Sequence, residues 1–230
     1  MKDRIKVIGF DADDTLWVNE PFYRETEKMF AQLMSEYLDE DEVNKRLFAT
    51  EMKNLRIYGY GSKGFTLSLI ETAITISNHQ VSNEIILKII EFGKSLLQMP
   101  IELLEGVEDV LKSLNGSYKL IIATKGDLLN QEHKLERSGL ASHFHHIEIM
   151  SDKKEANYKK LLNHLEVEPE EFIMIGNSIN SDIKPVLNLG SSAIHIPFHT
   201  TWIHEVGDLC EIKTDRFKEV KNIKDILALF

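Results

Sequence analysis

The feature that most limits how this chain can fold is a series of short, mainly apolar runs. They lie at Ile5 to Phe10, Lys119 to Ala123, His145 to Ile149, Phe172 to Ile175 and Ala193 to Ile196. Runs of this length with no polar face read as strands buried on both sides. Helical patterns separate the later ones, at Val107 to Leu114, Leu128 to Ser138, Ala156 to Leu165 and Ile179 to Leu189. Strands alternating with helices predict an α/β fold of three layers, a mostly parallel sheet with helices on both faces. Hydrophobic residues form 43% of the 230, enough for a packed interior, and the 12 glycines and 5 prolines leave little room for a fibrous or linker-rich chain.

The stretch from about Pro21 to Leu97 follows a different rule. Pro21 stands near a helix start, apolar positions follow at Phe22, Met29, Phe30, Leu33, Met34 and Tyr37, and further helical patterns cover Asp41 to Leu55, Phe65 to Ser77 and Asn83 to Leu97. No strand spacing interrupts them. The expected organisation is an α/β core from residues 1–18 and 100–230, with an all-helical domain at 19–99 inserted after the first strand. Glu102 to Gly106 marks the return to the core. Cys210 to Ile212 reads as a final strand and Phe217 to Leu229 as a terminal helix.

A formal net charge of −10 disfavours nucleic-acid polymers and anionic membranes as partners, because each would add like charge. A small phosphate ester remains compatible, provided a metal or a lysine supplies a local cation. Cys210 is the sole cysteine, so no internal disulfide forms and a thiolate metal cluster is not expected. The apolar run at the start is too short for a signal peptide, and no run of about 18 apolar residues offers a membrane span. A soluble cytoplasmic protein is the expectation.

The first apolar run ends in the sequence FDADDTLW, with Asp11 and Asp13 beyond the strand and Thr15 close behind. Open α/β sheets bind ligands at the carboxyl ends of their strands. Clustered carboxylates repel unless compensated, and a hard divalent cation is a common remedy. Spacing alone supports an acidic turn equally well. In the inserted region, Arg56 to Gly64 carries three glycines with Tyr58, Tyr60, Arg56 and Lys63. That composition suits contact with an anionic ligand, and suits equally an ordinary loop between helices.

Asp11-Ala12-Asp13-Asp14-Thr15, after its apolar strand, resembles the DxDx[TV] signature of the haloacid dehalogenase-like hydrolases, in their phosphatase branch. The resemblance implies a Rossmann-like core and a chemistry. Asp11 would attack phosphorus to form an aspartyl-phosphate, and Asp13 would protonate the leaving oxygen and then activate water. Dehalogenating members resemble the chain in fold but lack this second Asp, which points to phosphoryl transfer. Asp14 falls outside the signature and reads as a solvated or turn-capping residue.

Three further motifs follow in order. Thr124, after the strand Leu120-Ile121-Ile122-Ala123, matches the hydroxyl that holds the transferring phosphoryl group, and Lys125 beside it is a candidate for added charge there. Lys153 matches the family lysine that offsets the nucleophile's charge, favoured over Lys154 by its spacing to Tyr158. Gly176-Asn177-Ser178-Ile179-Asn180-Ser181-Asp182 resembles the fourth signature, GDxxxxD, with Asn177 in place of the usual first Asp. An amide oxygen ligates Mg2+ without bringing negative charge.

The implied Mg2+ ligands are Asp11, Asp13 through its backbone carbonyl, Asn177 and Asp182, with either of the last two in direct contact. The helical insertion resembles the family's first class of cap, which implies a small phosphorylated metabolite, such as a sugar phosphate or nucleotide, and makes Arg56, Tyr58, Tyr60 and Lys63 candidates for contacting it. Trp17 reads as an entrance wall or as a packing residue. The histidines, including His143, His145, His146, His195, His199 and His204, read as surface or packing residues. Mg2+-dependent phosphomonoester hydrolysis leads. Phosphoryl transfer to a second hydroxyl, as in a mutase, and phospholigand binding without catalysis are the alternatives.

Overall fold

The computed structural model describes residues 4–205, 207–208 and 212–230. The chain divides into two compact units, one made of residues 1–20, 101–125 and 131–230, the other of 21–100 and 126–130.

The first unit is built on six parallel strands: β1 (Val7–Phe10), β2 (Lys119–Lys125), β3 (His146–Met150), β4 (Phe172–Gly176), β5 (Ser192–His195) and β6 (Phe217–Glu219), in the order β3-β2-β1-β4-β5-β6. Alternation along each strand sorts its side chains between the two faces. Ile8, Phe10, Leu120, Ile122, Ile173, Ile175 and Ile194 pack with Val110, Leu111, Leu114 and Leu135. These last residues come from α5 (Val107–Leu114) and α6 (Leu128–Ser138). Val7, Ile121, Ala123, Phe172, Met174 and Ala193 pack instead with Tyr158, Leu161, Leu162, Ile183 and Val186. Those side chains belong to α7 (Glu155–Leu165), a π-helical turn at Ile179–Ile183 and α8 (Lys184–Asn188). Both faces of the central strands are therefore dry, which is why β1, β2 and β4 read as continuous apolar runs rather than alternating ones, while the edge strands β3 and β6 are partly exposed.

The second unit holds α2 (Glu40–Tyr58), α3 (Ser62–Ile76), α4 (Asn83–Gln98) and all but the first residue of α1 (Glu20–Leu33). Its own core gathers Phe30, Met34, Val43, Leu47, Phe65, Leu69, Ile89 and Leu96. Asp39 and Ser82 cap α2 and α4, each accepting from a backbone N–H of the first turn. Among the described residues, no helix is long and apolar enough to cross a membrane.

The carboxyl end departs from expectation. Phe217–Glu219 is the sixth strand rather than the start of a helix, pairing with β5, and a 3-10 turn at Ile223–Ala228 follows. Buried Ile223 and Ile226 of that turn seal the α5 face, so the apolar spacing taken for a long helix serves a strand and a turn instead. The helix expected over Ile179 to Leu189 opens as the π-helical turn before tightening into α8. The strand expected at Cys210 to Ile212 falls largely outside the described residues.

Gly9 shows how tightly β1 is held. A Cβ there would lie 2.7 Å from Phe172 Cζ and 3.1 Å from Met174 Sδ, both in the dry interior. Gly9→Ala should therefore destabilise the fold by about 1–3 kcal/mol, read as a lower urea midpoint. An unchanged midpoint would show that Phe172 has room to yield.

Candidate active site

The sheet order places β1 between β2 and β4, where successive strands depart in opposite directions. Such a switch point leaves a crevice at the carboxyl ends of the strands. Asp11 follows the last residue of β1, and its N–H donates to the Ile175 carbonyl of β4 at 2.8 Å. Thr124 lies near the end of β2 and Gly176 ends β4. Parallel register thus brings three motifs that are far apart in sequence to one edge.

Lys153 completes the centre. It is 2% exposed, and its Nζ donates to Asp11 Oδ1 at 2.5 Å and to Asp182 Oδ1 at 2.7 Å. Burial works against the ammonium charge, but Asp11 and Asp182 outweigh it and raise the lysine above its ordinary pKa. Burial pushes the Asp11 carboxyl up to about 7, opposed by Lys153 and reinforced by Asp182. Two carboxyl groups share one ammonium, so the ionised centre retains a formal unit of negative charge to which a further cation is complementary.

Asp182 is held in place from several directions. Its Oδ2 accepts the Ser178 N–H at 3.0 Å, and its own N–H donates to the Ser178 carbonyl at 2.8 Å. It sits within the π-helical turn, a widened geometry often found at functional sites. Gly176 admits it closely: a Cβ there would lie 2.3 Å from Asp182 Oδ2. Tyr158, whose burial raises its phenol well above the ordinary value, donates its hydroxyl to the Ser181 carbonyl at 3.0 Å.

Asn177 faces the other side of Asp11. The Thr15 hydroxyl lies 3.4 Å from both Asp11 Oδ2 and Asn177 Oδ1, so a carboxylate oxygen and an amide oxygen converge on one point. His195 holds the Asn177 backbone, with Nε2 3.0 Å from its carbonyl and Nδ1 2.8 Å from Glu219 Oε2. Among the described residues, no group of three or more His, Cys, Asp or Glu side chains is arranged to hold a metal. Any hard cation here would rely on oxygen donors of mixed type, namely the Asp11 carboxylate, the Asp13 carbonyl and the Asn177 amide, with remaining positions left to substrate or water. These donors suit Mg2+.

Asp13 is engaged by three donors. Trp17 Nε1 reaches its Oδ1 at 2.7 Å, Lys134 Nζ reaches the same oxygen at 2.9 Å, and Gln131 Nε2 reaches Oδ2 at 3.1 Å. Trp17 is fully buried in the core of this unit. Of the two roles expected for Asp14, it takes the turn-capping one and is buried rather than solvated. It accepts the N–H groups of Asn19 and Glu20 at 2.8 to 3.1 Å, and its positive φ of 60° turns the chain there. Burial pushes its carboxyl up to about 8 against the pull of those amides.

Thr124 is buried, and its hydroxyl accepts from Gln131 Nε2 at 2.8 Å. Lys125, a candidate for free positive charge, is paired: its Nζ contacts Glu205 and donates to Ser181 at 2.9 Å. Lys154 is exposed and pairs with Asp152. Arg56, Tyr58, Tyr60 and Lys63 all belong to the helical unit. Arg56 and Tyr58 are exposed at the end of α2, and Lys63 in the first turn of α3 pairs with Asp127 at 3.5 Å. His146 pairs with Glu148, whereas the side chain of His204 lies outside the described residues.

Sequence reasoning missed Gln131, Lys134, Glu205 and the role of His195. The first two become recognisable once the buried face of α6 is known. Asn130, Gln131, Lys134 and Leu135 form the buried stripe of α6, and three of these positions are polar where an ordinary core-facing helix would be apolar.

The haloacid dehalogenase-like hydrolase family profile matches residues 5–190. The chain belongs to that family. A crystal structure of a haloacid dehalogenase-like family hydrolase from Xanthomonas campestris superposes with a TM-score of 0.88 at 38% identity, covering 98% of this chain and 90% of that one. The fold is shared more distantly with L-2-haloacid dehalogenase from Xanthobacter autotrophicus, at TM-score 0.67 and 14% identity, covering 98% of each chain. Among curated proteins, human N-acylneuraminate-9-phosphatase is 28% identical over 119 residues, covering 50% of this chain and 46% of the relative. The rat protein of the same name is 29% identical over 108 residues, covering 45% and 41%. The matched stretch is thus less than half the length of these curated relatives.

Glu205 yields a pH prediction. Burial alone would raise its carboxyl, but Lys125 with the hydroxyls of Ser178 and Ser181 holds it at about 2, below the ordinary 4.5. A depressed acid stabilises the fold above its unfolded pKa, and that contribution is lost as pH falls through the folded one. Wild-type protein should therefore be more stable than Glu205→Gln near pH 6, by at most about 3 kcal/mol. The difference should shrink between pH 4.5 and 2, measured by urea unfolding at each pH. A constant difference across that range would contradict the assignment.

Proposed function

We propose that the chain is a Mg2+-dependent phosphomonoester hydrolase acting through an aspartyl-phosphate on Asp11. The observation that carries this reading is a buried carboxylate at the end of the central strand, tied to Lys153, with Asp13 two residues on and held by hydrogen-bond donors. Family membership and the phosphatase names of the curated relatives support it.

Asp11 Oδ would attack phosphorus while Lys153 neutralises charge on the nucleophile and the equatorial oxygens. The Thr124 hydroxyl would hold one of those oxygens. As the P–O ester bond breaks, the Asp13 carboxyl gives its proton to the leaving oxygen, since an unprotonated alkoxide leaves poorly. Asp13, now a carboxylate, takes a proton from water as that water attacks phosphorus. The Asp11–phosphorus bond breaks and inorganic phosphate departs. Mg2+ held by Asp11, the Asp13 carbonyl and Asn177 would supply charge neutralisation for the phosphoryl oxygens. Asp182, with one oxygen on Lys153 and the other on Ser178 N–H, is assigned to supporting the lysine.

The substrate class we assign is a small phosphorylated metabolite, with sugar phosphates and nucleotides first to be tried. Residues 19–99 are assigned as a cap, with Arg56, Tyr58, Tyr60 and Lys63 selecting the leaving group. A buried Asp11 favours a small ester over a phosphoprotein.

Purified protein should hydrolyse an aryl phosphate and members of a phosphorylated-metabolite panel with Mg2+, and lose that activity in chelator. Asp11→Asn should lower kcat by at least about 10³-fold while unfolding as the wild type does. A folded wild-type protein inert across the panel with Mg2+ present would overturn the reading. For the best substrate found, Arg56→Ala and Lys63→Ala should raise KM and leave kcat nearly unchanged; unaltered KM in both would remove these residues from the substrate contact.

A further inference from the structure

Lys134 is 1% exposed, and its Nζ donates to Asp13 Oδ1 at 2.9 Å and to Asn19 Oδ1 at 2.7 Å. Removing an ammonium from water costs several kcal/mol even after relaxation, and one carboxylate and one amide oxygen return only part of that. A lysine placed for packing alone would be better replaced by leucine or methionine, as in the neighbouring Leu135. Gln131, 4% exposed, divides its amide between Asp13 Oδ2 at 3.1 Å, Thr124 Oγ1 at 2.8 Å and the Lys125 carbonyl at 3.0 Å. Lys134 lies three residues further along α6, so one helix face delivers both groups.

We propose that Lys134 and Gln131 are positioning residues for Asp13, fixing its carboxyl group relative to the Thr124 hydroxyl that holds an oxygen of the phosphoryl group. The inference deepens the aspartyl-phosphate reading and rests on it. Asp13 follows the strand by three residues and has no regular element of its own to hold it, since β1 ends at Phe10. Its rotamer is set from outside. Lys134 and Trp17 converge on Oδ1, while Gln131 sets the distance between Oδ2 and Thr124 by binding both through one nitrogen. A proton transfer to a leaving oxygen needs heavy atoms about 3 Å apart. A carboxyl free to rotate would meet that condition only part of the time. The step served is the one described above: the Asp13 O–H bond breaks, the leaving oxygen gains the proton, and the phosphorus–oxygen ester bond cleaves.

The leaving group gives the test. An alkyl ester needs protonation to depart, whereas 2,4-dinitrophenolate leaves without it. The measurement is kcat/KM, which reports steps up to departure of the leaving group. The substrates are 2,4-dinitrophenyl phosphate and the alkyl phosphomonoester that wild-type protein turns over best. Lys134→Met should lower kcat/KM for the alkyl ester at least about tenfold more than for the dinitrophenyl ester, a part of the 10²–10⁴-fold that general acid catalysis contributes. Gln131→Ala should act in the same direction, and Asp13→Asn sets the largest contrast. If Lys134→Met fails to fold, as shown by loss of cooperative thermal unfolding, the contrast in Gln131→Ala decides. Equal losses on both esters in the folded variants, or no loss, would overturn the positioning role while leaving the nucleophile assignment intact. Wild-type protein inert on both esters, or an Asp11→Asn protein of undiminished rate, would instead remove the reading on which the inference stands.

Discussion

The contact on which the centre depends is the ammonium of Lys153 between Asp11 and Asp182. All three groups are at least nine-tenths buried, and a buried carboxylate without a partner would simply take up a proton. The ammonium allows Asp11 to exist as an anion in a buried crevice without fully satisfying it. Since a second carboxylate claims the same ammonium, the burial cost is only partly offset, and Asp11 stays poised near neutrality. A carboxylate completely neutralised by its lysine would be stable and unreactive.

Much of the surrounding architecture holds that three-body contact. Asp182 can lie close because Gly176 has no side chain, because the turn carrying it is widened, and because Ser178 turns a backbone N–H onto its second oxygen. Lys153 precedes α7, whose Tyr158 reaches back to the Ser181 carbonyl of the same widened turn. The dry α7 face and the polar centre are therefore joined through shared residues: Tyr158 packs among Leu161, Leu162 and Phe172 while its hydroxyl faces the site. Changes of volume on that face would be felt by Asp182, since packed interiors transmit strain.

The parts of this arrangement visible in sequence were those with local signatures. Strands buried on both faces produce apolar runs, so β1, β2 and β4 could be located to within a residue or two, and the acidic residue after the first run stood out. Lys153 was separable from Lys154 only through resemblance, and the physical difference is burial: one ammonium is enclosed by two carboxylates, the other is exposed beside Asp152. β6 was misread because three strand residues followed by a short turn leave the same apolar spacing as a helix. Asp14 was expected to be solvated or turn-capping; it caps, accepting backbone amides at the start of α1, but it is buried, and amide partners carry no residue-type signal that would have shown this.

Gln131 and Lys134 were hidden for a different reason. Their partner is more than a hundred residues away, just beyond the first strand, and the period of α6 alone does not show which of its faces is buried. Hydrophobic periodicity treats a buried lysine as a break in the stripe, although here the break supplies a hydrogen-bond donor to Asp13. Polar residues sited where the helical period demands apolar ones therefore mark where a fold accepts a desolvation cost. In this chain Lys134 bears that cost beside Asp13, the group we propose it orients relative to Thr124. Asp11 is fixed by an ion pair at the sheet's centre and Asp13 by a neighbouring helix. The two carboxyl groups, although only two residues apart, are thus placed by separate parts of the core, which lets their environments diverge, as the two tasks proposed for them require.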